Sequence, residues 1–196
     1  KMELRTYILI DSMQPQFAAL TGILLQGDVP VEGMAEVFME LAPASDVYEV
    51  LDAALKTADV RPGLLRVERE YGTLEIHSAV QVAGQNALAR FGLTESDRMT
   101  PEVVSVKMVS KVNPYEAQLV NQTSRGGLLL AGQTLCVMEI APAAYVWLAA
   151  NEAEKAANIT LVNYQPSGRY GRLYIAGRDS DVRVGQEAAV QAIKSI

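Results

Sequence analysis

The chain has one cysteine, Cys136, one histidine, His77, one tryptophan, Trp147, and only 6% aromatic residues. A single cysteine excludes an intrachain disulfide and suits a reducing compartment. Cys136 lies in an apolar stretch and reads as a small buried hydrophobe, not as a thiol nucleophile. One histidine without neighbouring cysteines or a repeated carboxylate cluster makes no metal-ligand set, so neither a metal nor another cofactor is expected. With so few aromatics, Trp147 reads as a packing or interface anchor and not as a ligand platform. Positive charge is also in deficit: 17 Lys and Arg against 23 Asp and Glu give a formal charge of −6. Nucleic-acid affinity rests largely on cations that neutralise phosphates, which excludes a nucleic-acid partner. No apolar run approaches the roughly 18 to 20 residues that span a bilayer. The first residues, Lys1-Met2-Glu3-Leu4-Arg5, lack the sections of a signal peptide. A cytoplasmic protein with no membrane partner is expected.

Catalytic signatures are missing as well. No Walker loop, no Gly-x-Gly-x-x-Gly after a strand and no Gly-x-Ser-x-Gly elbow occurs. Ser124-Arg125-Gly126-Gly127 is too short and misplaced for a phosphate cradle. Glu68 and Glu70 have no histidine partner for acid–base work. No catalytic residue is assigned, and the chain is read as a non-enzyme.

What the chain does have is a second copy of itself. Met39-Glu40-Leu41-Ala42-Pro43-Ala44 returns as Met138-Glu139-Ile140-Ala141-Pro142-Ala143, and Glu40 and Glu139 are 99 positions apart. The same offset pairs Pro15 with Pro114, Gly27 with Gly126, Lys56 with Lys155, Tyr71-Gly72 with Tyr170-Gly171 and Ile76 with Ile175. Later the offset becomes 101, from Gly84-Gln85 to Gly185-Gln186. That change places a two-residue insertion in the loop before the last helix of the second copy, where insertions cost little. Two units of about 98 residues, drawn from a chain that is 49% hydrophobic, can each build a core. The expected boundaries are a first domain at 1–94, a linker at 95–101 and a second domain at 102–196.

Each copy has the order βαβαββα. Residues 4–10 and 103–109 are β-rich runs. Pro15 and Pro114 then open short helices, since a first turn tolerates a missing N–H. Residues 35–41 and 134–140 are apolar strands closed by Ala-Pro. Residues 45–58 and 144–157 have helical periodicity, with Val47, Val50, Leu51, Ala54, Leu55 and Ala58 on one stripe. Strands at 61–68 and 160–165 lead through a Tyr-Gly turn into strands at 73–77 and 172–176. Helices at 80–91 and 182–193 close the copies. An antiparallel sheet with helices on one face is the economical packing for the βαββα part.

The strings Asp52-Ala53-Ala54-Leu55-Lys56-Thr57-Ala58-Asp59-Val60 and Asn151-Glu152-Ala153-Glu154-Lys155-Ala156-Ala157-Asn158-Ile159 resemble the helix-to-strand segment of bacterial microcompartment (BMC) shell proteins. The strand before that helix, the glycine-containing loop after it and the closing Ala-rich helix are similar too. Because residues 4–10 precede the core, each copy looks like the circularly permuted BMC domain. The resemblance implies an α+β fold class, two tandem ferredoxin-like domains, each an antiparallel sheet with helices packed on it. It implies a structural shell protein: three chains forming a pseudohexameric trimer that tiles into facets beside other shell proteins of the compartment. A central pore for small metabolites, open to gating, would follow.

By position, the resemblance makes Glu68, Arg69, Glu70 and Tyr71 of the first loop, and Ser167, Gly168, Arg169 and Tyr170 of the second, pore-lining. Glu68-Arg69 is similar to the acidic-basic pair of gated tandem shell proteins, and Arg169 stands in the register of Glu70, so the two loops are not equivalent. Lys56 and Lys155 would lie on the outer rim, with their apolar stems packed on a neighbouring ring and their ammonium groups reaching carbonyls. Taken singly, each reads as a solvated helix lysine; their recurrence in one register inside the motif favours the rim. The competing reading of the whole chain is a trimeric signalling protein that binds a small molecule between ferredoxin-like subunits.

Overall fold

A computed structural model describes residues 1–78 and 82–196. The chain divides into two units, Lys1–Thr100 and Pro101–Ile196. Unit 1 runs β1 (Glu3–Ile10), α1 (Pro15–Leu24), β2 (Ala35–Ala42), α2 (Asp46–Thr57), β3 (Arg61–Glu68), β4 (Tyr71–Ser78) and α3 (Ala83–Ala89). Unit 2 repeats it with β5 (Glu102–Val109), α4 (Pro114–Thr123), β6 (Thr134–Ala141), α5 (Val146–Ala156), β7 (Thr160–Gln165), β8 (Gly171–Gly177) and α6 (Asp179–Lys194). Each unit has one four-stranded sheet, in the orders β1-β2-β4-β3 and β5-β6-β8-β7, and all pairings are antiparallel. This is the expected α+β fold in two copies.

The helices obey their local chemistry. Pro15 and Pro114 stand in the first turns of α1 and α4, where an absent N–H costs nothing. Asn113 caps α4 by accepting from the Tyr115 amide at 2.9 Å. Helix α2 has Asp46 and Glu49 in its first turn and Lys56 in its last, as the helix dipole favours.

The two faces of each sheet are covered differently. In unit 1, Val37, Met39 and Leu41 of β2 with Leu74 and Ile76 of β4 pack against Val47, Val50 and Ala54 of α2 and Ala83 and Ala87 of α3. In unit 2, the opposite face is covered by Ala117 and Val120 of α4 with Leu129 of the next loop, which pack on Leu135, Val137, Val162, Tyr174 and Ala176. The helices of the βαββα part share one face, as expected, and the first helix, which lies outside that part, covers the second face. A central strand such as β2 is buried along both faces, which explains an apolar run interrupted only by Glu36 and Glu40. Cys136 sits on the equivalent β6, fully buried, with its thiol pushed up to about 12 by burial.

Three expectations need correction. Tyr71 and Gly72 are not a turn: they open β4, paired with Glu68 and Val67, and Gly171 likewise opens β8. The turn is Arg69-Glu70, because two residues suffice to close an antiparallel hairpin. The closing helix of unit 1 begins at Ala83; Val80, where its start was expected, lies outside the described residues. The two-residue insertion of unit 2 lengthens a helix and not a loop, since of residues 178–184 only Arg178 precedes α6.

The sequence repeats are packing requirements. A Cβ on Gly72 would overlap the Ala44 carbonyl oxygen, and one on Gly171 would overlap the matching Ala143 oxygen. The Ala-Pro-Ala and Tyr-Gly strings recur together because the hairpin base lies directly against the chain entering α2 or α5.

Candidate functional site

The first hairpin ends in Glu68, Arg69 and Glu70, all exposed, with Tyr71 half-buried at its base. Arg69 has φ +54°, the left-handed conformation that glycine usually supplies in a two-residue hairpin. For a residue with a Cβ this costs about 1–2 kcal/mol. Replacing Arg69 by Gly is therefore expected to stabilise unit 1 by up to about 1 kcal/mol, after the entropic cost of a glycine, as read from denaturant midpoints.

Behind the hairpin stands a brace. The pairing of β1 with β2 shifts register between Leu4 and Thr6, and such a bulge re-aims the residue it holds, here Arg5. The Arg5 guanidinium lies 3.8 Å from the centre of the Tyr71 ring and donates Nε–H to Glu40 Oε1 at 2.8 Å. Burial pushes the Glu40 carboxyl up, against the opposing pull of Arg5. The cation therefore clamps Tyr71 from one side and neutralises a buried carboxylate on the other.

The second hairpin is built differently. Ser167, Gly168 and Arg169 are exposed, Tyr170 is half-buried, and Gly168 supplies the left-handed turn at φ +97°. Arg169 approaches the Tyr170 ring at 5.3 Å. Glu139, the counterpart of Glu40, is bound by Arg172 of β8 at 3.0 Å, so each copy answers the same glutamate from a different strand. The brace residues Arg5, Glu40, Glu139 and Arg172 were not singled out from sequence. One signal was present: a glutamate repeated in both copies of an otherwise apolar string.

Lys56 and Lys155 stand on the last turns of α2 and α5. Lys56 pairs with Asp52 at 2.6 Å, both largely exposed, and lines a concavity of about 500 Å³ with Tyr48, Arg90 and Phe91. Lys155 is exposed. Helix α2 starts against the hairpin base, at Gly72, and runs back along the sheet to the far end of β3. A strand of 8 residues at about 3.3 Å each thus separates the hairpin tip from the lysine turn. The same relation holds in unit 2 through Gly171 and α5. The structure groups the hairpin residues at one end of each unit and the lysine at the other.

Residues 4–97 match the family model "CsoS1D N-terminal domain", and residues 134–196 match "BMC domain". The chain belongs to the BMC-domain shell proteins of bacterial microcompartments. It is 42% identical to the carboxysome shell protein CcmP of Synechococcus elongatus, over all of this chain and 93% of that protein. It is 40% identical to the carboxysome shell protein CsoS1D of Hydrogenovibrio crunogenus, over all of this chain and 98% of that protein. The solved fused permuted hexameric shell protein of the RMM microcompartment superposes with a TM-score of 0.96 at 39% identity, covering 98% of this chain and 97% of that one. The double ringed trimeric shell protein of the same compartment gives 0.95 at 35% identity, covering all of this chain and 98% of that one.

This BMC-domain protein is accordingly a structural component of a microcompartment shell and not an enzyme. The competing signalling reading is set aside, since these relatives are shell proteins along their full length. No helix among the described residues is long and apolar enough to cross a membrane.

Proposed function

We propose that three chains close into a ring of six units, with the hairpins around a central opening for small polar metabolites and Lys56 and Lys155 on the perimeter. The observation that carries this reading is the placement of hairpin and lysine at opposite ends of each unit. If the hairpins surround an axis, the lysines must face outward, where a ring meets its neighbours in a facet together with other shell proteins. Heterologous contacts repeated by rotation close such a ring without leaving a free edge inside it. The first expectation is a particle of about 64 kDa by light scattering, three times the 21.2 kDa chain; a monomer or dimer would reject the ring.

Charge at the opening is balanced between unlike loops. Glu68, Arg69 and Glu70 sum to −1 in one hairpin, and Arg169 gives +1 in the other. Arg69→Ala leaves three extra negative charges on the ring. At about 8 Å in water each acts on an anion with roughly 0.5 kcal/mol before salt screening. Anion passage through reconstituted shell sheets should therefore fall by up to about tenfold, with cation passage maintained. Equal anion flux in wild type and variant would remove these residues from the opening.

Gating belongs to the same reading. Exposed ion pairs contribute only about 0–1 kcal/mol each, and Arg69 already holds a strained backbone. A second arrangement of the Glu68-Arg69-Glu70 tip then lies within a few kcal/mol, close enough for both to be populated.

A further inference from the structure

Unit 1 contains a chain of ionisable groups that the pore and edge readings do not use. Glu75 and Glu36 are buried on the sheet face opposite α2 and α3. His77 Nδ1 lies 2.8 Å from Glu75 Oε1 and its Nε2 lies 2.8 Å from Asp28 Oδ2. Asp28 faces Arg61 Nη1 at 3.5 Å, and both of these are partly or largely exposed. The series Glu36, Glu75, His77, Asp28, Arg61 thus runs from the interior to solvent.

The geometry fixes where protons must be. Both ring nitrogens of His77 face carboxyl oxygens, and with the proton of the glutamate pair held between Glu36 and Glu75 only imidazolium donates from both. Both oxygens of Glu36 are buried without an N–H or hydroxyl partner among the described residues, and they face Glu75. Two carboxyls so placed must share a proton, because two adjacent buried carboxylates repel. Gly63 makes room for this arrangement: a Cβ there would overlap Glu75 Oε2 and press on Leu25 and Asp28.

The second copy lacks all of it. Positions of Asp28, Glu36, Arg61, Gly63, Glu75 and His77 are filled by Gly127, Leu135, Thr160, Val162, Tyr174 and Ala176. Four of these, Leu135, Val162, Tyr174 and Ala176, belong to the apolar cluster beneath α4. Yet the backbone scaffold is the same. The Gln26 and Gly27 amides donate to the Gly63 oxygen and the Asp28 amide to the Pro62 oxygen, while the Gly126 and Gly127 amides donate to Val162 and Leu161.

We propose that these groups form a proton-operated latch, present in unit 1 alone, which pins residues 26–28 to the outer end of the edge strand β3 and releases them when its protons leave. It is independent of the pore reading, since it lies at the end of the sheet away from the hairpin.

Other charged groups do not intrude. Helix α1 has no titratable residue, β1 brings Ile10 opposite Glu36, and Glu32 on the same loop is exposed. The directions agree with the geometry. Burial, then the Glu75 charge, holds the Glu36 carboxyl well above its ordinary range. Glu75 is also raised by burial, against the pull of His77. Burial pulls His77 down, but Glu75 and Asp28 outweigh it and leave its pKa raised above 6.5. The His77 hydrogen bond lowers Asp28.

Groups raised in the folded state make the native form hold more protons than the unfolded one, so their contribution falls as pH rises. For His77 it is complete below about 6.5 and lost as pH passes the raised folded value. Glu36 and Glu75 weaken stability from about 4.5 upward in the same sense, until their own folded values are passed. Asp28, being lowered, acts oppositely and only in acid. The latch is closed below the ordinary histidine range and opens as pH rises past the raised folded value of His77.

Two measurements on the full-length assembled protein test it. His77 is the chain's one histidine, so its ring nitrogens are assigned without mutants. Nearly equal ¹⁵N shifts, the imidazolium signature, are expected at pH 6, and the widely split pair of a neutral tautomer there would overturn the latch. Hydrogen exchange, corrected for the chemical rate at each pH, is then followed from pH 6 to 9 at residues 26–28, with Gly126 and Gly127 as internal reference. Opening in unit 1 relative to unit 2 is expected to rise at least tenfold; a constant ratio would overturn the proposal. In Glu36→Gln the amide donates to Glu75 at every pH, so the rise should move upward by about one pH unit or more. A profile coincident with wild type removes the shared proton from the mechanism.

Discussion

Gly72→Ala and Gly171→Ala should each destabilise their own unit by about 3 kcal/mol and lower its unfolding midpoint by roughly 12–24 °C. At Gly72 the added Cβ overlaps the Ala44 carbonyl oxygen and comes within 2.5 Å of Val47 Cγ1; at Gly171 it overlaps the Ala143 oxygen and meets Val146 Cβ at 3.0 Å. Two backbones meet there, so no side chain can rotate away, and relief requires moving the hairpin off the start of the helix. Overpacked sites of this rigidity fall at the upper end of the usual 1–3 kcal/mol. A unit of about 100 residues has only about 5–15 kcal/mol in total. Calorimetry should show one transition shifted per single variant. A shift below about 4 °C would mean that the hairpin base is not fixed against the helix, and the end-to-end separation of hairpin and lysine would lose its basis.

Lys56→Asp combined with Lys155→Asp should leave the trimer intact and abolish extended sheets. The cost to the fold is small. Lys56 is 65% exposed and pairs with Asp52 at 2.6 Å, and an i,i+4 pair on a helix surface is worth about 0.3–0.5 kcal/mol. An aspartate in the last turn adds an unfavourable dipole term of about 0.3–1 kcal/mol. The lateral contact loses much more, since each ring would present three carboxylates of each kind where it presented ammonium groups with apolar stems. Negative-stain electron microscopy and light scattering, run on the same preparation, separate the two effects. Sheets that persist would reduce Lys56 and Lys155 to solvated helix lysines.

Much of this molecule was readable before its structure. Apolar runs bounded by Ala-Pro gave β2 and β6, and the stripe of Val47, Val50 and Ala54 gave α2, because periodicity reports directly which face is covered. Turns were read less well. Tyr71-Gly72 resembles a turn by composition, but its glycine answers to the Ala44 carbonyl, while the true turn is built on Arg69, a residue that local rules would place elsewhere. The brace escaped for a related reason: Arg5 reaches Tyr71 only because β1 carries a bulge, and nothing in residues 3–10 announces one.

His77 shows the boundary most clearly. From sequence it is a lone histidine at a strand end with no ligand set around it. In the fold its two nitrogens meet carboxylates from a neighbouring strand position, Glu75, and from a loop 49 residues away, Asp28. Alternation placed Glu75 and His77 on one face, since side chains two apart on a strand share it. Only the pairing of β2 with β4 added Glu36 to them, and only the path of the chain after α1 delivered Asp28. The sequence by itself determined that there are two similar units and which residues lie in their strands and helices, because duplication and periodicity are local patterns. Tertiary structure decided which charges meet, because the register between strands and the course of the loops set distances that no spacing along the chain contains.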